Sequence, residues 1–205
     1  MLFPNDKLII FAKAPIAGKA KKRLIPALGE NGAAKLHQKM LEHKLQLAHD
    51  SRIAPIELYC WPNTQHHYFQ EAQERYSLQL HNQQGADLGE RMAHAMHQAI
   101  EQHSNAVLIG TDSPPLDRDY LISAFETLQR GTDAVIGPAE DGGYTLIGLS
   151  RCNRKIFQKI EWGSEKVCSQ TVSKLKQLDF SYKTLETLWD VDRPDDLLRL
   201  GNHYN

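Results

Sequence analysis

The chain has 205 residues, 41% of them hydrophobic and 24% charged, the composition of a single globular domain rather than of a disordered chain. Lys plus Arg total 24 against 25 Asp plus Glu, a net charge of −1, so nonspecific coating of nucleic acid or of an anionic lipid surface is disfavoured. No run approaches the ~20 apolar residues of a membrane helix, and the three cysteines, with no C-x-x-C spacing, point to reduced thiols and a cytoplasmic setting.

The first predicted strand covers 8–12, an apolar run ended by Lys13 and too short for a secretory leader. After Gly29, the positions Leu36, Met40, Leu41, Leu47 and Ala48 fall on or near one face of a helix. A second strand follows at 56–61. Leu88, Met92, Ala95, Met96 and Ala99 mark a helix after Gly85, and a third strand is read at 106–110. Leu121, Ala124, Phe125 and Leu128 mark the next helix, then strands at 134–137 and 144–149. A helix through Val167, Cys168, Val172 and Leu175 follows, with Ser164 as its expected N-cap. Several strands are apolar throughout, which implies burial on both faces and helices above and below the sheet. In such an α/β fold, ligands gather at the carboxyl ends of the strands.

Five segments lie at those ends or adjoin them. The loop Lys13 to Arg23 carries five basic side chains in eleven residues, with Gly18 for a tight turn; Lys13, Lys19, Lys21 and Arg23 are candidates to neutralise a di- or triphosphate. Neither P-loop spacing nor G-x-G-x-x-G is present, and a solvated basic loop would read the same. Gly85-Ala86-Asp87-Leu88-Gly89 opens a helix; its backbone donors could read a base, while Asp87 could equally be an N-cap. Gly110-Thr111-Asp112-Ser113-Pro114-Pro115 sets Asp112 rigidly past a buried strand, where a carboxylate suits Mg²⁺ or caps the next helix; Asp117 and Asp119 fit the capping role better.

Glu140-Asp141-Gly142-Gly143-Tyr144 either lets the backbone approach a sugar, with Asp141 or Glu140 as a base, or is only a hairpin turn. Asp190-Val191-Asp192-Arg193-Pro194-Asp195-Asp196 places two acids before a proline and two after it. The later pair suits the first turn of a terminal helix. Asp190 or Asp192 could join Asp112 on one metal. The ten histidines, His66, His67, His94 and His97 among them, lack zinc-ligand patterning and read as surface or helix-face residues.

Together the motifs F-A-K-A-P-x-x-G-x-x-K-x-R-L, G-A-D-L-G-x-R-M, G-T-D-S-P-x-L, G-P-A-x-D-G-G-Y-x-L-I-G-L, W-G-S-E and D-V-D-x-P-x-D-L resemble a cofactor-biosynthesis-like glycosyltransferase family of bacteria. That family has been catalogued as a domain of unknown function and as an arsenosugar-biosynthesis or radical-SAM-associated transferase. The stretch Lys19 to Leu24 is also similar to the R-A-K-S-R-L of 2-phospholactate guanylyltransferase. The resemblance spans Leu8 to about Leu198 and implies a three-layer α/β/α sandwich with a mostly parallel, mixed sheet, of the GT-A nucleotide-diphospho-sugar transferase type; the chain length itself points to one domain over 1–205.

It further implies phosphates over Lys13 to Arg23, a base near Gly85, Asp87, Leu88 and Gly89, and Mg²⁺ or Mn²⁺ between Asp112 and Asp192. The acceptor or sugar would lie by Gly142, Gly143 and Tyr144, with Asp141 and Asp112 catalytic. Lys22 and Arg193 depart from the Ser or Thr usual at those positions. The expected activity is metal-dependent glycosyl transfer from a nucleotide-diphospho-sugar to a small-molecule acceptor. The alternatives are nucleotidyl transfer that releases pyrophosphate and non-catalytic nucleotide binding. No apolar stripe marks an oligomeric interface.

Overall fold

In a computed structural model that describes residues 1–201, the expected alternation becomes one seven-stranded sheet between two layers of helices. The elements run β1 (Lys7–Lys13), α1 (Ile25–Ser51), β2 (Ile56–Trp61), α2 (His67–Tyr76), β3 (Gln79–Asn82), α3 (Leu88–Gln102), β4 (Ala106–Ile109), α4 (Arg118–Gln129), β5 (Ala134–Pro138), β6 (Tyr144–Leu149), α5 (Val167–Gln177), β7 (Tyr182–Thr184) and α6 (Asp196–Leu200). Short 3-10 turns occupy Lys22–Leu24 and Arg154–Phe157. The sheet order is β3-β2-β1-β4-β6-β5-β7. Only β6 runs against its neighbours β4 and β5, so the sheet is mixed but mostly parallel.

The two-sided burial of β1 follows from strand geometry, since successive side chains leave opposite faces. Leu8 and Ile10 pack with Leu41 and Leu45 of α1 and Phe125 of α4. Ile9 and Phe11 pack on the other side with Met92 and Met96 of α3 and Leu175 of α5. A smaller cluster joins Leu24, Ala33 and Met40 to Val191 and Leu200, which fastens the acidic C-terminal segment to the base of the basic loop. No helix among the described residues is long and apolar enough to cross a membrane.

Several elements differ from expectation. The edge strands β3 and β7 are short and polar, and α2 fills a stretch without a strong apolar period; none of the three is predicted from the sequence. The helix placed after Gly29 begins earlier, at Ile25 with Pro26 in its first turn, and Gly29 interrupts it at φ 68° and ψ 168°. Ser164 does not cap α5. That helix starts at Val167 with Lys166 in the cap position, and the Ser164 hydroxyl instead accepts from the Lys166 N–H at 3.3 Å.

Candidate active site

β1 and β4 are adjacent and parallel, so the loops that leave their carboxyl ends emerge side by side. The acidic C-terminal segment is stitched to the second of these loops. The Val191 N–H donates to the Asp112 carbonyl at 2.8 Å, and the Ser113 hydroxyl donates to the Trp189 carbonyl at 2.8 Å. Residues about eighty positions apart thereby become neighbours. Asp196, in the first turn of α6, accepts from the N–H groups of Asp192 and Arg193 at 2.9 and 2.6 Å and fixes the segment from behind.

A cleft of about 350 Å³ opens here, with Asp112, Asp141, Asp190 and Asp192 on its polar side and Phe11, Leu88, Met92, Leu108, Tyr144 and Trp162 on its apolar side. Of the basic loop, Arg23 lines the cleft and pairs with Asp192. The loop reaches this position through left-handed backbone at Gly18 (φ 73°) and Lys21 (φ 45°). Lys21 has its side chain 4% exposed, and its ammonium lies 2.9 Å from Asp112 Oδ1 while it also donates to the Val191 carbonyl at 2.5 Å. It is an internal cation between the two acidic segments.

Lys13 ends β1 directly beside Trp61 in the β1–β2 register. The Arg91 guanidinium lies 4.1 Å from the centre of the Trp61 ring, and its Nε donates to the Asp87 carbonyl at 2.9 Å. The Lys13 ammonium is held below the ordinary lysine range by burial first and then by the positive charges of Lys22, Arg91 and Lys19, with Asp112 opposing. The charges of Lys22, Arg91 and Lys19 are thus all felt at Lys13. Among the described residues none of Lys13, Lys19, Lys22 and Arg91 has an ion-pair partner within 4.0 Å, unlike Lys21 and Arg23.

His37, on α1, carries no sequence signal that separates it from an ordinary helix histidine. In the fold it is 5% exposed, its Nε2 lies 2.8 Å from the Lys13 carbonyl, and its Nδ1 lies 4.0 Å from Asp112 Oδ1. Burial keeps it below the usual histidine range against the pull of Asp112; because a carbonyl oxygen only accepts, Nε2 is the donor to Lys13 and fixes the end of β1. Beneath the same loop the fully buried Lys44 donates to the Leu116 carbonyl at 2.6 Å.

The remaining expected site residues divide. Asp87 is the N-cap of α3, its Oδ1 accepting from the Glu90 N–H at 2.8 Å. Gly85, Asp87 and Gly89 line a separate hollow of about 600 Å³ against the 3-10 turn Arg154–Phe157, and of this segment Leu88 reaches the cleft. Asp141 closes a turn by accepting from the Gly143 N–H at 2.8 Å yet still lines the cleft. Glu140 is held by Arg199 at 2.5 and 3.1 Å. Asp117 caps α4, accepting from the Tyr120 N–H at 2.9 Å. Tyr144 and Gly143 line the cleft, and Gly142 lines an adjoining polar hollow with Arg23, Asp190 and Asp192.

Whether the acids suit a divalent ion is decided by their own chemistry. Asp190 is pushed up to about 6 by burial first, then by Asp141 and Asp112, with Lys21 opposing and Asp192 adding a little more. The Asp112 side chain stays about half exposed, and against the desolvation its surroundings impose, Lys21, His37 and Thr111 bring it below the ordinary range. Crowded carboxylates of this kind are hard donors suited to Mg²⁺ or Mn²⁺. Among the described residues no three His, Cys, Asp or Glu side chains form a cage, and Asp112 and Asp192 each already bear a basic partner. The residues fit an ion held by one or two carboxylates, its other positions left to phosphate and water, rather than an all-protein site.

Over residues 44–164 the chain matches DUF2064, described as uncharacterized proteins conserved in bacteria. It belongs to the DUF2064 family. No curated protein matches it. Among solved structures, this DUF2064 chain is similar to a protein from Desulfovibrio desulfuricans provisionally described as a nucleotide-diphospho-sugar transferase, 33% identical over 93% of this chain and 83% of that one, with a TM-score of 0.83. It shares its fold with 4-diphosphocytidyl-2C-methyl-D-erythritol synthase from Anaerococcus prevotii, at 12% identity, a TM-score of 0.64 and 98% coverage of both chains. The fold is shared as well with a nucleotidyl transferase from Methanothermobacter thermautotrophicus, at 10% identity, a TM-score of 0.61 and 97% coverage of both chains. The DUF2064 chain thus has the nucleotide-diphospho-sugar transferase fold expected of it.

Proposed function

We propose that this protein is a nucleotide-dependent transferase that moves a glycosyl group from a nucleotide-diphospho-sugar to a small-molecule acceptor. One observation carries the reading: Lys13 at the end of β1, within reach of the charges of Lys22, Arg91 and Lys19 and of Asp112, stands next to a cleft lined by four aspartates and an apolar wall. The first feature suits a polyanion and the second a polyhydroxylated group. The relative at 33% identity described as a nucleotide-diphospho-sugar transferase supports the class.

Lys13 and Lys19 would hold the donor phosphates, with Gly18 allowing the loop to approach them. Lys22 and Arg91 add charge to the same cluster. Lys21 and Arg23, bound to acids, would position Asp112 and Asp192. Mg²⁺ or Mn²⁺ would be held by Asp112 with Asp192, or with Asp190, and when bound would neutralise charge on the departing diphosphate. The fixed cations assist that charge without reorganising during the reaction. Asp141 would orient the acceptor hydroxyl or take its proton, a role the Arg199-bound Glu140 is less suited to. Leu88 would meet the base from the cleft side. Residues 1–205 would act as one domain, and the free state of Cys60, Cys152 and Cys168 suits a reducing cytoplasm.

Nucleotidyl transfer is the second reading, and the same cation cluster favours it: four positive groups exceed what a diphosphate needs and suit a triphosphate. Product analysis across nucleoside triphosphates and nucleotide-sugars with Mg²⁺ or Mn²⁺ separates the two. Free nucleoside diphosphate supports glycosyl transfer, and pyrophosphate supports the second reading. Tight nucleotide binding with no turnover of any donor would contradict both.

A further inference from the structure

The W-G-S-E motif is left without a role by the account above, and its tryptophan stands in the cleft. Trp162 is held there by its surroundings. Its indole meets the Tyr144 ring edge-on at 6.4 Å between centroids. A Cβ at position 89 would lie 2.7 Å from Trp162 Nε1 and 2.5 Å from the Phe157 carbonyl oxygen, so only glycine at the start of α3 leaves the indole its place. The following residues occupy a second glycine seat, where a Cβ at Gly142 would lie 2.1 Å from the Glu165 carbonyl oxygen. The segment is also tied at its base: Glu161 and Gln170 exchange two hydrogen bonds at 2.8 and 2.7 Å, and the Cys168 N–H donates to the Gly142 carbonyl at 2.9 Å.

A preorganised, half-buried indole beside carboxylates has a definite ligand chemistry. Carboxylates accept hydrogen bonds and donate none when ionised, so they suit a ligand edge made of hydroxyls. A nucleobase edge mixes acceptors with N–H donors and matches such a wall only in part. The indole face takes the flat C–H face of a ring. We propose that Trp162 is the platform on which the sugar ring of the substrate stacks, a specificity-determining contact, and that Gly89 is glycine to make room for it rather than to approach a base. The proposal rests on the nucleotide-transferase reading of the same cleft.

Calorimetric titration tests it with UDP against UDP-glucose, GDP against GDP-mannose and dTDP against dTDP-glucose in the presence of Mn²⁺, and with methyl glucoside and methyl mannoside added to the protein holding the bare nucleotide. Loss of one aromatic contact corresponds to about fivefold to tenfold in affinity. Trp162→Leu should weaken the sugar-bearing ligand by that factor and leave the bare nucleotide within about twofold, while Trp162→Phe should keep most of the affinity and serve if the leucine variant fails to fold. A Trp162-dependent response to the nucleotide-sugar assigns the ring to the donor, and one confined to the methyl glycosides assigns it to the acceptor. Equal weakening of bare and sugar-bearing nucleotide, or no weakening of either, would overturn the platform and leave the nucleotide site standing. Failure of every nucleotide and glycoside to bind the wild type would overturn both.

Discussion

Within eleven residues the basic loop does two different jobs. Lys21 and Arg23 are spent on acids, one buried against Asp112 and the Val191 carbonyl, the other paired with Asp192. Lys13, Lys19 and Lys22 have no such partner among the described residues, and Lys13 feels the charges of Lys22, Arg91 and Lys19. The paired cations hold the acidic segments in place, whereas the crowded ones repel one another and gain only when an anion arrives. Residue type alone does not separate these roles; the partner does.

The largest expected effect lies where both jobs meet. Asp112→Asn keeps the acceptor for Lys21 but removes the charge that would hold a cation. Turnover should fall by about a hundredfold or more with circular dichroism unchanged, and near-normal turnover would remove Asp112 from the chemistry. The comparison sharpens with Lys21→Met against Lys19→Met. Breaking a buried ion pair typically costs 3–5 kcal/mol, and because Asp112 is 49% exposed the loss at Lys21 should be nearer ~2 kcal/mol in denaturant melts. Lys19→Met should leave stability within ~0.5 kcal/mol while weakening nucleotide binding. Equal stability losses would erase the distinction.

A pH measurement probes the support under the Asp112 loop. Burial lowers Lys44 to about 7, with Asp117 opposing. Its folded value lies below the unfolded value of about 10.4, so between them the unfolded chain binds the proton and the folded chain does not. Stability contributed at this site therefore rises with pH from about 7 to about 10. The stability of wild type relative to Lys44→Met should climb over that window, and a pH-independent difference would show that Lys44 stays charged in the fold. The smallest effect is at Asp87. Its replacement by Ala should cost ~1 kcal/mol as a lost N-cap with little change in nucleotide affinity; a large affinity loss would mean that the side chain reads the ligand.

The fold is legible where the strand runs are predominantly apolar. β1, β2, β4, β5 and β6 were marked by buried residues, whereas β3 and β7 are three- or four-residue polar edge strands with too little pattern to detect. The site was legible in its charged segments and not in its supports. Lys13, Asp112 and the 190–192 acids announce themselves by residue type and position after strands. His37 and Lys44 sit inside an ordinary amphipathic helix and acquire roles only when α1 packs beside β1 and the Asp112 loop. Lys13 meets Trp61 through the β1–β2 register, and Arg91 reaches the Trp61 ring only through the approach of α3. In the sequence Gly89 reads as backbone made bare for a ligand, whereas its neighbours in the fold are Phe157 and Trp162, which no local pattern reveals.

Anomalous diffraction from crystals grown with Mn²⁺ and a nucleoside diphosphate addresses the central proposal most directly. The account predicts one manganese peak among Asp112, Asp190 and Asp192, bridged to phosphates that rest on Lys13 and Lys19. Phosphate density away from the end of β1, or manganese bound elsewhere while this cleft holds none, would contradict it.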